Sequence, residues 1–208
     1  ILYDIDVRLR PAGGKGVLVS SIEAFETYQQ DKAWTFEHQA LVRVRFVAGD
    51  RHIGERFEKI RRTVLETRRE PHQLRTDIIE MRQRMRSLER RQDHESQDDN
   101  SLPFDLKHAL GAIVDIEFMV QYAVLAWSHK YPDLCGFTDN YRLLGMLQEF
   151  NLLDKEDVDL LRDAYLAYRS AVHFQALGGQ LFISAYSQLA PYREKVVIVW
   201  RKLMHNTG

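Results

Sequence analysis

The chain has 208 residues, 45% of them hydrophobic and 28% charged, with 29 Lys and Arg against 30 Asp and Glu. A formal charge of -1 removes the simplest case for nucleic-acid binding, which needs a strong basic excess. The single cysteine, Cys135, excludes a disulfide framework or a thiolate zinc site, and no apolar run approaches the ~20 residues of a bilayer span. The expectation is a soluble, cytoplasmic protein with no nucleic-acid and no membrane partner, long enough to bury ~70% of its unfolded surface in one sizeable core.

Residues 2–9 alternate, with Tyr3, Ile5, Val7 and Leu9 on one side and Asp4, Asp6, Arg8 and Arg10 on the other, which predicts a strand. Pro11, Gly13, Gly14 and Gly16 stop it, and Val17-Leu18-Val19 is a second short strand candidate. A chain that opens at Ile1, already inside a strand, reads as a piece of something longer. Ser20 with Glu23 three residues on predicts a capping-box start to a helix carrying Ile22, Phe25 and Tyr28. From Ala33 the spacing of Trp34, His38 and Leu41 is helical, and the helix is expected to continue through residues 41–47, where β-branched residues alternate with arginines. Gly49-Asp50 breaks the pattern before Ile53, Phe57, Ile60 and Val64 resume it.

Pro71 opens the next helix, with Leu74, Ile78, Met81, Met85 and Leu88 on its apolar side and Arg82, Arg84, Arg86, Arg90 and Arg91 on its polar side. Residues 92–103, acidic and without large apolar side chains over most of their length, are expected to form a mobile loop. Ile113, Ile116, Val120, Val124 and Trp127 step by three and four, while Phe118, Met119, Tyr122 and Leu125 cover the rest of the circumference. Such a helix belongs inside a bundle. Thr138-Asp139-Asn140 caps a helix through Leu143, Leu144 and Leu147, and Asp154 caps another through Val158, Leu161, Tyr165, Tyr168 and Val172. After Gly178-Gly179 a last helix runs from about Ser184 to Met204, with Pro191 expected to reset its start. The fold class is mainly α, a helical bundle preceded by one or two β-strands.

Three constellations bear on chemistry. Asp6, flanked by Ile5 and Val7, is placed as a rigid strand presents an acid to a metal ion, with Arg8 and Arg10 on the same polar face for phosphate oxygens; the alternative is a solvated strand face of paired charges. Asp115 and Glu117 sit among apolar neighbours and need partners. Arg43, Arg45, Arg82, Arg86 and Arg142 are the candidates, either as structural pairs or as arginines positioned near a nucleotide. The arginines of residues 82–91 read as a solvated helix face or as an anion site. The eight histidines show no i, i+4 pair, and neither a Gly-x-Ser-x-Gly elbow nor a P-loop ending is present.

Several segments together resemble the glutamate-ammonia ligase (glutamine synthetase) adenylyltransferase family. They are Tyr3 to Pro11, Leu18-Val19-Ser20-Ser21, Ala33 to Arg45 with its Trp-Thr-Phe-Glu-His-Gln core, Ile113-Val114-Asp115-Ile116-Glu117-Phe118, and Thr138-Asp139-Asn140. The resemblance implies that the strands are left from a polymerase-β-type nucleotidyltransferase sheet, with residues 1–20 ending that domain and 21–208 forming a helical domain. It implies a parent enzyme that transfers AMP from ATP to a tyrosine of glutamine synthetase, with a second half reversing this, and it points to the adenylylating half. Its partners would be glutamine synthetase, ATP and the PII nitrogen-signal protein, and its cofactor Mg²⁺. By position Asp6 matches a catalytic, metal-binding carboxylate. Arg8 and Arg10 match nucleotide-binding positions, and Glu37, Arg43, Arg45, Asp115 and Glu117 match structural or site-supporting ones. The Gly-Asp-x-Asp element that supplies the other metal carboxylates in the family is expected upstream of Ile1, so the 208 residues alone are expected to be inactive. The usual Gly-Gly before the Asp-Ile-Glu-Phe segment is Gly111-Ala112 here, which leaves the close backbone approach at that turn open. The alternative is a non-enzymatic helical module that binds glutamine synthetase or the PII protein. The helical part of a related uridylyltransferase is a nearer rival.

Overall fold

A computed structural model describes residues 17–95, 104–179 and 183–205. Among them are eight α-helices and one short 3-10 turn: α1 (Ile22–Asp31), α2 (Thr35–Arg43), α3 (Arg51–Leu65), α4 (Pro71–Glu95), α5 (Ile113–Trp127), the 3-10 turn Pro132–Gly136, α6 (Asn140–Glu149), α7 (Lys155–Ala176) and α8 (Ile183–His205). The strand expected over residues 2–9 lies outside the described residues. The second strand candidate does not form: Val17, Leu18 and Val19 are irregular and exposed, and no strand among the described residues offers them a ladder.

Local signals set most helix starts. Ser21, one residue later than expected, accepts from the Ala24 amide through its hydroxyl at 3.2 Å. Asp50 accepts from the Ile53 amide at 3.1 Å, and Asp139 from the Arg142 amide at 2.9 Å. Pro71 opens α4 as expected, and the preceding Glu70 carboxylate accepts from the amides of His72 at 3.0 Å and Gln73 at 2.5 Å. Each such contact satisfies one of the donors that a helix start leaves open.

Three boundaries differ from the sequence pattern. Helix α2 stops at Arg43, and Val44 turns extended at ψ 141°. The buried Arg61 of α3 explains the stop, since its guanidinium donates to the carbonyls of Leu41 at 2.7 Å and Val42 at 3.1 Å and to that of Cys135 at 2.8 Å. A side chain from another helix thus closes the C-terminus of α2. Phe46 then folds back over Gly54, where an added Cβ would lie 2.9 Å from its ring. Helix α4 runs on to Glu95, into the stretch read as loop, while residues 96–103 lie outside the described residues. Helix α8 passes through Pro191 without a restart. It buries one stripe on both sides of the proline, Tyr186 and Leu189 before it and Val196, Val199 and Trp200 after it, and that packing outweighs the single backbone hydrogen bond the proline removes.

Helix α5 is the axis of the bundle. Ile116, Val120, Ala123, Val124 and Leu125 are fully buried, and α2, α4, α6, α7 and α8 all pack on it. Helix α1 packs on α3, with the Phe25 and Phe57 rings 5.6 Å apart. Among the described residues no helix is long and apolar enough to cross a membrane.

Candidate functional site

The first two turns of α5 carry both predicted acids, and the helical geometry sends them to different neighbours. Asp115 is fully buried. Its Oδ1 accepts from Arg82 Nε at 2.7 Å and Arg86 Nη2 at 2.6 Å; its Oδ2 accepts from Arg86 Nη2 at 2.7 Å and from the Gly111 amide at 2.7 Å. Arg82, also fully buried, donates through Nη2 to the His108 carbonyl at 2.7 Å. One carboxylate therefore ties two turns of α4 to the start of α5.

Gly111 supplies the close approach that its sequence context left open. Its φ is +80°, and an added Cβ would lie 2.3 Å from the Arg193 carbonyl oxygen. We expect Gly111→Ala to lower stability by roughly 2–3 kcal/mol through positive-φ strain and displaced backbone, with chemical denaturation as the check.

Glu117 faces α2, α6 and α7. Its Oε1 accepts from Arg43 Nη1 at 2.9 Å, with Asn140 Nδ2 at 3.4 Å and the Tyr165 hydroxyl at 3.5 Å. The Arg43 and Glu117 side chains keep 32% and 25% of their exposure, so this cluster, unlike that of Asp115, is open to solvent. The Asn140 Oδ1 is buried without a hydrogen-bond partner, and Arg169 extends the cluster through Nη1 to the Tyr165 hydroxyl at 3.2 Å. Arg45 is exposed on the extended segment two residues beyond Arg43. Arg142 pairs with Asp139 of its own helix start at 2.5 Å and lies over the Phe137 ring.

Glu37 accepts from the Tyr28 hydroxyl at 2.8 Å and the Trp34 amide at 3.0 Å, which makes it a clamp between α1 and α2. Asp6, Arg8 and Arg10 lie outside the described residues. Among the described residues no three His, Cys, Asp or Glu side chains gather to hold a metal ion. Cys135 is buried, and that burial pushes its thiol above the ordinary range, so it stays protonated and unreactive near neutrality.

A cleft of about 450 Å³ opens between α1, α2, α3 and α4, lined by Gln29, Thr35, His38, Arg69, Gln73 and Asp77 among others. Its charged groups are committed internally. Asp77 accepts from Thr35 at 2.5 Å and Gln73 at 2.7 Å. Arg69 donates to the carbonyls of Val64 at 2.8 Å and Leu65 at 3.1 Å at the end of α3, and burial pulls its guanidinium down to about 10. His38 sits between the Gln29 carbonyl at 3.0 Å and Arg69 Nη2 at 3.3 Å. This fits a neutral ring that donates from Nε2 and accepts at Nδ1. Burial, with the Arg69 charge beside it, lowers the His38 pKa below 6.5. The folded state then binds fewer protons than the unfolded one, so the contribution is fully present above about pH 6.5 and is lost as pH falls toward the depressed value. The expected result is a steeper acid loss of stability between pH 7 and 5 in the native chain than in His38→Gln, read by denaturation at each pH.

Sequence reasoning did not single out Arg61 or Arg69. Arg61 lies within α3, three residues after Glu58, with which it also pairs at 3.4 Å, and Arg69 lies in the link between α3 and α4; their main partners are backbone carbonyls at helix ends, which carry no residue-type signal.

Residues 1–60 match the family model described as glutamate-ammonia ligase adenylyltransferase, and residues 79–179 match the one described as GlnD PII-uridylyltransferase. The bifunctional glutamine synthetase adenylyltransferase/adenylyl-removing enzyme of Pseudomonas syringae pv. tomato is 50% identical over 207 residues, 97% of this chain. The chain belongs to the glutamate-ammonia ligase adenylyltransferase family. The enzymes of the same name from Methylococcus capsulatus and Acinetobacter baylyi are 44% and 41% identical, each over 98% of the chain. The chain spans about a fifth of the length of these adenylyltransferases, 21% of the first and 22% of the last.

Proposed function

We propose that the chain is part of an enzyme that transfers AMP from ATP to a tyrosine of glutamine synthetase, and that it comes from the adenylylating half, with the reverse reaction in the other half. The observation that carries this reading is the 50% identity to a bifunctional glutamine synthetase adenylyltransferase over 97% of the chain, together with the Trp34-Thr35-Phe36-Glu37-His38-Gln39 segment. In this reaction the tyrosine oxygen bonds to the α-phosphorus, the bond to the pyrophosphate breaks, and the hydroxyl gives up its proton. ATP is the substrate, the PII protein a regulatory partner, and the cytoplasm the location.

Within this reading Asp6 is a metal-ligating carboxylate, and Arg8 and Arg10 face the nucleotide. Mg²⁺, when bound, supplies charge neutralisation at the phosphates. The described helices offer no cluster for it. Their contribution is positional: Glu117 holds Arg43 at the end of α2, and Arg45 stands exposed two residues on. Asp115 with Arg82 and Arg86 keeps α4 and α5 in register.

The match of residues 79–179 to a uridylyltransferase model is consistent with a helical part shared among nucleotidyltransferases, while the match of residues 1–60 favours the adenylyl reading. The test is AMP incorporation into glutamine synthetase by the long protein carrying Asp6→Asn. Loss of most transfer with intact folding supports the assignment, and undiminished transfer by a folded variant overturns it. Binding of glutamine synthetase by a long protein that never transfers AMP would instead favour a non-enzymatic module.

A further inference from the structure

Helices α4 and α8 both pack on α5 and leave between them a pocket of about 160 Å³. Two facing stripes line it, Arg82, Gln83 and Arg86 from α4 and Trp200, Arg201 and His205 from α8. Arg82 and Arg86, like Arg201 and His205, are one helical turn apart, so each helix presents two basic groups to the same space.

The charges in this space are unbalanced. Among the described residues no carboxylate lines the pocket. Arg86 is paired with Asp115, a carboxylate that it shares with Arg82. Its two oxygens already accept four hydrogen bonds, which fills a carboxylate's acceptor capacity. The Arg86 Nε remains buried without an acceptor, a costly state for a charged donor. Arg201 has no ion-pair partner among the described residues, whereas its neighbour Lys202 is held by Asp154 and Asp157 of α7.

A group that completes this arrangement must be acceptor-only, negatively charged and small. Guanidinium groups match the oxygens of a phosphate in pairs, and the volume falls below the ~300–1,000 Å³ of pockets that enclose drug-sized ligands. We propose that the pocket between α4 and α8 is an oxyanion site that takes one phosphate-sized group, held by Arg86 and Arg201 with His205 at its rim and Trp200 as its wall. The site is separate from the Glu117 cluster, and the proposal stands independently of the adenylyl-transfer reading.

The 208-residue chain is titrated with inorganic phosphate and, in parallel, with AMP, at fixed pH and ionic strength, reading heat and tryptophan fluorescence. Trp200 is nearly buried at 6% exposure, so occupancy changes its emission. The expected result is saturable one-to-one binding that weakens about tenfold in Arg201→Gln, the effect of losing one charge-assisted contact, with the ligand-free melting temperature unchanged because Arg201 is exposed. Arg201-dependent saturation by phosphate assigns the free ion. The same dependence with AMP alone assigns a phosphoryl group carried on a larger molecule. Absence of saturable binding by either, or binding of equal strength in Arg201→Gln, overturns the site.

Discussion

Asp115→Asn is expected to lower the free energy of unfolding by about 3–5 kcal/mol, the range for removing one partner of a buried ion pair. The substitution conserves shape, so no cavity term enters. It removes the charge that two guanidinium groups share, one fully buried and one largely so. An amide also offers one oxygen where the carboxylate offered two, and its NH₂ turns toward either the Gly111 amide or the arginines, donor against donor. Glu117→Gln is the matched comparison. Its pair with Arg43 is partly solvated, and the expected cost is about 1 kcal/mol or less. Denaturant melts of both variants at neutral pH check the contrast. Equal, small losses would mean that the Asp115 cluster does not hold α4 to α5.

Asp6→Asn, in the long protein, is expected to reduce AMP transfer at least ~100-fold, since charge stabilisation at a metal-bound phosphoryl group is worth several kcal/mol and each 1.36 kcal/mol is a factor of ten. Stability should change little if the carboxylate serves the substrate rather than the packing. The informative measurement is transfer rate alongside the thermal midpoint. A slow but normally folded variant supports a catalytic role, and a fast one removes Asp6 from the site. Because Asp115→Asn is expected to act on stability and Asp6→Asn on rate, the two variants separate a structural carboxylate from the proposed chemical one.

The family could be read from short segments because its signals are local in sequence. The same segments have structural uses: Asp139 caps α6, and Glu37 ties α1 to α2. The reading of residues 41–47 as helix held to Arg43 and failed beyond it for a reason that periodicity cannot carry. A guanidinium twenty residues away, on Arg61, takes the last carbonyls of α2 and ends it. Pro191 misled in the opposite direction, because the stripe buried on either side of it holds α8 together.

By itself the sequence determined the helical class, the burial of α5, the starts of α4 and α6, and the need of Asp115 and Glu117 for cationic partners. These follow from hydrophobic period, caps and desolvation, which act within a few residues or on a side chain alone. Only the tertiary structure decided which arginines those partners are: Arg82 and Arg86 for Asp115, Arg43 for Glu117. Five arginines satisfied the charge requirement equally well, and the choice depends on which helices pack on α5, a property of the whole core. For the same reason the basic lining between α4 and α8, Arg82 and Arg86 facing Arg201 and His205, appears only in the packed bundle.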